Sequence, residues 1–315
     1  MMGKQDNLMQ QARAASFGLP RARKLGSAVV LLIGLTVSGC SSVSGLLDDT
    51  FGGSSSSADA PPDGLDNASF TDQTPVGTLY NKGLDHMKEG EYKKAAKQFD
   101  EVERLHPYST WATRSTLMVA YAHYQRNAYT DSINAADRFI QLHPGNKDIA
   151  YAYYLKGLSY YEQIGDTQRD QSNTEKALIA LEEVGRRFPD SRYASDAEAK
   201  AVLARDHLAS KEMRIGRYYL KRHAYVAAIN RFKKVVTDYQ TTSHTPEALQ
   251  RLTEAYFALG IRSEAQTAAA ILGHNFPNSQ WYKDAYALLR TGGLEPKVSS
   301  GSWLTRTWQR ATNSG

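Results

Sequence analysis

Apolar positions recur along most of this chain at the three- and four-residue spacing of amphipathic helices, and they recur in phase with one another. The clearest stretch is Leu79–Pro107, LYNKGLDHMKEGEYKKAAKQFDEVERLHP, in which Ala95 follows Gly83 by twelve residues, Phe99 follows by four more, and Pro107 by eight. Each mark has a physical reason. Gly83 and Ala95 are small, so two paired helices can approach closely; Phe99 fills the seam to the next pair; Pro107 has no N–H and stops the second helix. The pattern therefore predicts two helices joined by a turn.

Four further stretches fit the same frame. Arg205–Gln240 carries Gly216, Tyr219, Ala228 and Phe232, with Gln240 in place of proline. Gln250–Pro277 carries Tyr256, Ala265 and Pro277, with Thr253 at the glycine position, and Ser115–Pro144 carries Ala120, Ser132, Ala136 and Pro144. Tyr151–Pro189 keeps Gly157 and Tyr160, then Ala177, Leu181 and Pro189, with eight extra residues around Ile164–Asn173 between its halves. This spacing resembles the tetratricopeptide repeat, which implies an all-α solenoid of five helix pairs in which each pair shares its core only with its neighbours. Residues 76–290 form the array, and the third pair carries a loop.

Outside the array the chain changes character. Lys4, Arg13, Arg21, Arg23 and Lys24 precede an apolar run, Ser27–Val37, that ends at Ser38-Gly39-Cys40. Its eleven residues are short of the ~20 needed to cross a bilayer, so residues 1–39 read as a secretory signal. Val37-Ser38-Gly39-Cys40 resembles the bacterial lipoprotein box, which implies acylation of Cys40, and Ser41 in place of Asp implies sorting to the outer membrane. Residues 40–75 are rich in Ser, Gly, Asp and Pro, lack an apolar period and read as a disordered tether with a reach of roughly 30 Å. Residues 291–315 read as a disordered tail, with membrane or partner contact through Trp303, Leu304 and Trp308 as the alternative.

The formal charge of +5 shrinks once the leader is set aside: 38 basic residues less five leave 33, and 33 acidic residues less one leave 32. A near-neutral array offers nothing to phosphate, so no nucleic-acid partner is expected. The single cysteine, Cys40, excludes internal disulfides and cysteine metal clusters, the histidines do not group, and no hydrolase, Walker or dinucleotide motif occurs. No enzyme and no cofactor are expected. The inner faces of the first helices change along the array instead. They read as Tyr121, Tyr124, Tyr151, Tyr154, Leu158 and Tyr161 in pairs two and three, then as Met213, Arg217, Leu220, Lys221, Glu247, Gln250, Glu254 and Phe257 in pairs four and five. Such tyrosines either line a peptide groove or pack between helices with their hydroxyls in water.

A signal with a lone cysteine, a polar tether and five pairs with a loop in the third are joined by the run Ala136–Pro144, ADRFIQLHP, and by Ile149–Leu158, IAYAYYLKGL. Together they resemble the BamD family, the lipoproteins of outer-membrane β-barrel assembly. The resemblance implies a lipid-anchored scaffold on the periplasmic face of the outer membrane. Its N-terminal repeats would receive the C-terminal signals of unfolded outer-membrane proteins, and its last repeats would dock the barrel subunit BamA beside other assembly lipoproteins. Mapped onto this chain, the substrate candidates are Tyr108, Trp111, Tyr121, Tyr124 and Tyr154, and the partner candidates are Arg217, Lys221, Glu254 and, more weakly, His207. A pilotin-like or a cell-wall-coordinating tetratricopeptide lipoprotein is the alternative.

Overall fold

The computed structural model describes Pro61 and residues 75–313, all within one compact unit, Gly53–Gly315. The expected signal, the expected lipidation at Cys40 and most of the expected tether lie outside the described residues. Ten helices form the five predicted pairs: α1 (Pro75–Lys88) with α2 (Tyr92–Leu105), α3 (Thr110–Gln125) with α4 (Tyr129–Leu142), α5 (Ile149–Tyr161) with α6 (Ser172–Arg187), α7 (Ala194–Lys221) with α8 (Tyr225–Asp238), and α9 (Thr245–Ala258) with α10 (Arg262–Asn275). Two more follow, α11 (Gln280–Thr291) and α12 (Trp303–Asn313). From α1 to α11 each helix packs on the next in sequence, and α1 also packs on α3, α3 on α5, α5 on α7 and α9 on α11, so the first helices of the pairs share one face.

The seam inside each pair is a trade of side-chain size. A Cβ built on Gly83 would lie 2.6 Å from the Phe99 ring, one on Gly157 2.8 Å from Leu181, and one on Gly216 2.4 Å from Phe232. Where the first partner grows, the second shrinks: Ala120 stands against the Ala136 position and Thr253 against the Ala269 position. Thr253 spends its hydroxyl on the Leu249 carbonyl at 3.0 Å, which lets it sit buried.

The turns within pairs share a further feature. Seven residues after each small position the backbone is left-handed: Gly90 (φ 74°), Asn127 (φ 60°), His223 (φ 59°) and Gly260 (φ 73°). In pair three that position is Ile164, a β-branched residue poorly suited to positive φ, and there the chain leaves on its loop to Gln171 instead. Arg214 Nη2 of α7 donates to the Thr167 carbonyl at 2.8 Å and pins this loop.

Two expectations are corrected. The repeat frame places the first helix of pair four from about residue 205, yet α7 starts at Ala194 and runs 28 residues, about 42 Å. It spans both apolar clusters of the array, one ending at Ala201 and the other beginning at Leu208. Nothing between the connector and Gly216 breaks the helix, so it continues. The C-terminal segment is also not a disordered tail. It returns over α10, where Ser299 N donates to Thr267 Oγ1 at 3.1 Å, and α12 buries Leu304 while Trp303 Nε1 donates to Tyr256 Oη at 2.9 Å. That docking covers the apolar end that a terminal repeat would otherwise expose to water.

Candidate functional site

The tyrosines gather on the shared face of α3, α5 and the start of α7, where the close approach of the first helices brings rings from successive pairs together. Tyr121 of α3 lies 6.4 Å from Tyr151 of α5. Tyr151 lies 5.2 Å from Tyr193, and Tyr193 stacks on Tyr154 at 5.1 Å with the rings 23° apart. Tyr124 packs on Tyr129 at 5.9 Å. The result is a ladder of aromatic contacts running from pair two to the start of pair four.

Its members differ in depth. Tyr121 and Tyr124 are partly buried and present ring surface. Tyr151 and Tyr154 are fully buried, and burial pushes the Tyr151 hydroxyl well above its ordinary value, with the neighbouring tyrosines adding to it. The expectation that Tyr154 lines the groove is therefore corrected. Its hydroxyl donates to Asp196 Oδ2, to which Lys200 Nζ also donates at 2.6 Å, so it braces the ladder from behind. Leu158, Met213 and Leu220 are likewise seam residues. Tyr108 is fully exposed in the turn before α3, while Trp111 packs its ring 4.9 Å from Tyr80 with the Arg114 guanidinium 5.3 Å above it.

Sequence reasoning named Trp111 as a site candidate but neither Tyr193 nor Trp281. Trp111, Tyr193 and Trp281 each stand four residues after a proline, and each carries a guanidinium over its ring: Arg114 at 5.3 Å, Arg192 at 5.1 Å and Arg251 at 5.5 Å. The signal was an aromatic in fixed register after Pro107, Pro189 and Pro277. In these connectors Ser279 caps α11, accepting from Tyr282 N at 3.2 Å, whereas the buried hydroxyl of Ser191 has no hydrogen-bond partner.

The charged end is a network that ties helices together. Arg217 of α7 makes a bidentate pair with Glu247 of α9, with Nε 2.7 Å from Oε1. Arg251 lies 3.5 Å from Glu247 and donates to Glu254 at 2.8 Å. Burial would raise the Glu247 pKa, but the Arg217 hydrogen bonds and the charges of Arg217 and Arg251 outweigh it and hold the carboxyl below its ordinary value. The same partner holds Arg217 above its own. Arg217 and Glu254 are thus already engaged within the fold, whereas Lys221 ends α7 exposed. His207 sits beneath the pair-three loop. Its Nε2 is buried without a hydrogen-bond partner, and burial lowers its pKa against the opposing pull of a backbone hydrogen bond to Gly165 and of Asp166 and Asp206.

Among the described residues, one group could offer a metal three ligands: His86, Glu89 and Glu91, with ligand atoms within 4.8 Å. Their ion pairs account for them, since His86 Nδ1 lies 2.8 Å from Glu91 Oε2 and Lys94 donates to the same carboxylate. An open depression of about 340 Å³ lies on the α6–α7 seam between Glu182, Arg186, Glu198 and Arg205, apart from the tyrosines. No described helix is long and apolar enough to cross a membrane.

Stacked helix pairs with an aromatic ladder toward one end and a charged network toward the other define the class: a tetratricopeptide-repeat solenoid. The YfiO family model, described as outer membrane lipoprotein, matches residues 72–272, and the chain belongs to this family. A curated relative from Caulobacter vibrioides, named outer membrane protein assembly factor BamD, is 52% identical over 72% of this chain and 74% of its own length. Relatives of the same name from Rickettsia prowazekii and Neisseria meningitidis serogroup A are 46% and 35% identical, covering 69% and 70% of this chain and 86% of their own lengths. Among solved structures, a thermophilic TPR protein from Thermus thermophilus is 18% identical over 68% of this chain and 97% of its own, with a TM-score of 0.30.

Proposed function

We propose that this chain is a non-catalytic scaffold of outer-membrane β-barrel assembly, held at the periplasmic face of the outer membrane by acyl chains on Cys40. Its first three helix pairs receive an extended segment of an unfolded outer-membrane protein, one with an aromatic C-terminus. Its last pairs dock the barrel subunit BamA beside the other lipoproteins of the complex.

The observation that carries this reading is the pair of partly buried rings Tyr121 and Tyr124, with the buried rings of Tyr151, Tyr193 and Tyr154 bracing Tyr121 from behind. An extended peptide has alternate side chains to offer, and a row of rigid rings accepts apolar ones at little entropic cost. The charged network around Arg217, Glu247, Arg251 and Glu254 instead suits a folded partner with a polar rim, for which Lys221 is an exposed contact.

Tyr121→Ala with Tyr124→Ala should reduce photocrosslinking to a peptide ending in Phe about tenfold while leaving the helical circular dichroism unchanged. Unchanged crosslinking would remove the groove assignment. Capture of a barrel assembly subunit from detergent-solubilised envelopes supports the scaffold reading. Capture of a secretin or of a cell-wall synthase in its place would refute it.

A further inference from the structure

Arg192 makes a contact that the repeat pattern does not call for. Its Nη2 donates to the main-chain carbonyl of Pro61 at 2.7 Å, across 131 residues of sequence. Pro61 belongs to the polar tether, yet it is buried. The same guanidinium lies 5.1 Å from the centre of the Tyr193 ring, and Tyr193 packs on both Tyr151 and Tyr154. Pro61 precedes Pro62, and that step biases its backbone to the extended form a client strand would also take. A planar fork held over a ring and aimed at a carbonyl recognises a chain without reading its side chains.

We infer that Arg192 over Tyr193 is a receptor for the main-chain carbonyl of an extended polypeptide at the end of the tyrosine ladder, and that Pro61 occupies it in cis, so that tether and client compete. This rests on the groove reading above and adds its regulation. A ligand joined to its receptor within one chain by a short stretch of sequence acts at an effective concentration on the order of 1 mM. If the cis contact alone had a dissociation constant of about 0.1 mM, it would weaken client binding about tenfold. The client then gains hold as the tether lets go.

Two measurements on the full mature chain test it. With p-benzoylphenylalanine in place of Pro61, irradiation should crosslink residue 61 to the tryptic peptide holding Tyr193. The product should fall at least fivefold in Arg192→Leu and on adding a fluorescein-labelled decapeptide of alternating apolar and polar residues ending in Phe. In anisotropy titrations with that decapeptide, P61G/P62G should bind it five- to tenfold more tightly than the parent. In the Arg192→Leu background the same change should do nothing. A crosslink that is absent, or indifferent to Arg192→Leu, overturns the inference, as does equal affinity with and without P61G/P62G. If the crosslink forms and depends on Arg192 but the decapeptide binds no variant, the cis contact stands and the groove reading is what fails.

Discussion

Gly216→Ala tests the packing argument on which the array rests. In an exposed helix interior this exchange stabilises by ~1 kcal/mol, because alanine has less backbone freedom to lose. At Gly216 the added carbon would lie 2.4 Å from Phe232 Cε1, 2.8 Å from Cζ and 2.9 Å from Cδ1. The Phe232 ring is fully buried and cannot swing aside as a flexible chain end would. Overpacking of this kind costs about 1–3 kcal/mol, so it outweighs the propensity gain and leaves a net loss of ~1 kcal/mol. Gly185, on α6, is the control, since a carbon there meets nothing within 4 Å. Gly185→Ala should stabilise by about 0.5–1 kcal/mol. Thermal unfolding followed by circular dichroism at 222 nm should move the two midpoints in opposite directions by roughly 2–4 °C. Phe232→Leu should then cost less in the Gly216→Ala background than in the parent, the sign of a shared clash. If Gly216→Ala stabilises as Gly185→Ala does, the size trade across the seam is not what sets the helix spacing.

His223 holds a left-handed backbone (φ 59°) that costs an L-residue roughly 1 kcal/mol, so His223→Gly should raise the thermal midpoint, and a fall would show that its 2.9 Å contact with Tyr225 matters more. Leu304→Ala should cost about 2–3 kcal/mol and lower the midpoint seen by tryptophan fluorescence more than that seen by circular dichroism, because α12 frays from its end. Coincident, unchanged midpoints would mean that α12 does not dock. Glu247 has its carboxyl held below the ordinary 4.5, so its contribution to stability is present above that value and is lost as pH falls through the lowered one. Urea midpoints between pH 7 and 3 should fall less steeply for Glu247→Gln than for the parent, and equal slopes would show that the Arg217 pair is not the cause.

The frame of small and large residues was enough to place five helix pairs and the pair-three loop, because the close approach of two helices leaves no freedom at Gly83, Gly157 or Gly216 once Phe99, Leu181 and Phe232 are chosen. It could not say which tyrosines face outward. Tyr151 and Tyr154 lie on the same stripe of α5 as residues that line the shared face, and only the arrival of Tyr193 from a connector 39 residues after Tyr154 covers them. The docking of α12 and the contact of Arg192 with Pro61 are of the same kind. Each depends on partners brought together from distant parts of the chain. A helical period of 3.6 residues records which positions repeat along one rod, whereas burial and pairing depend on what a second rod sets against them.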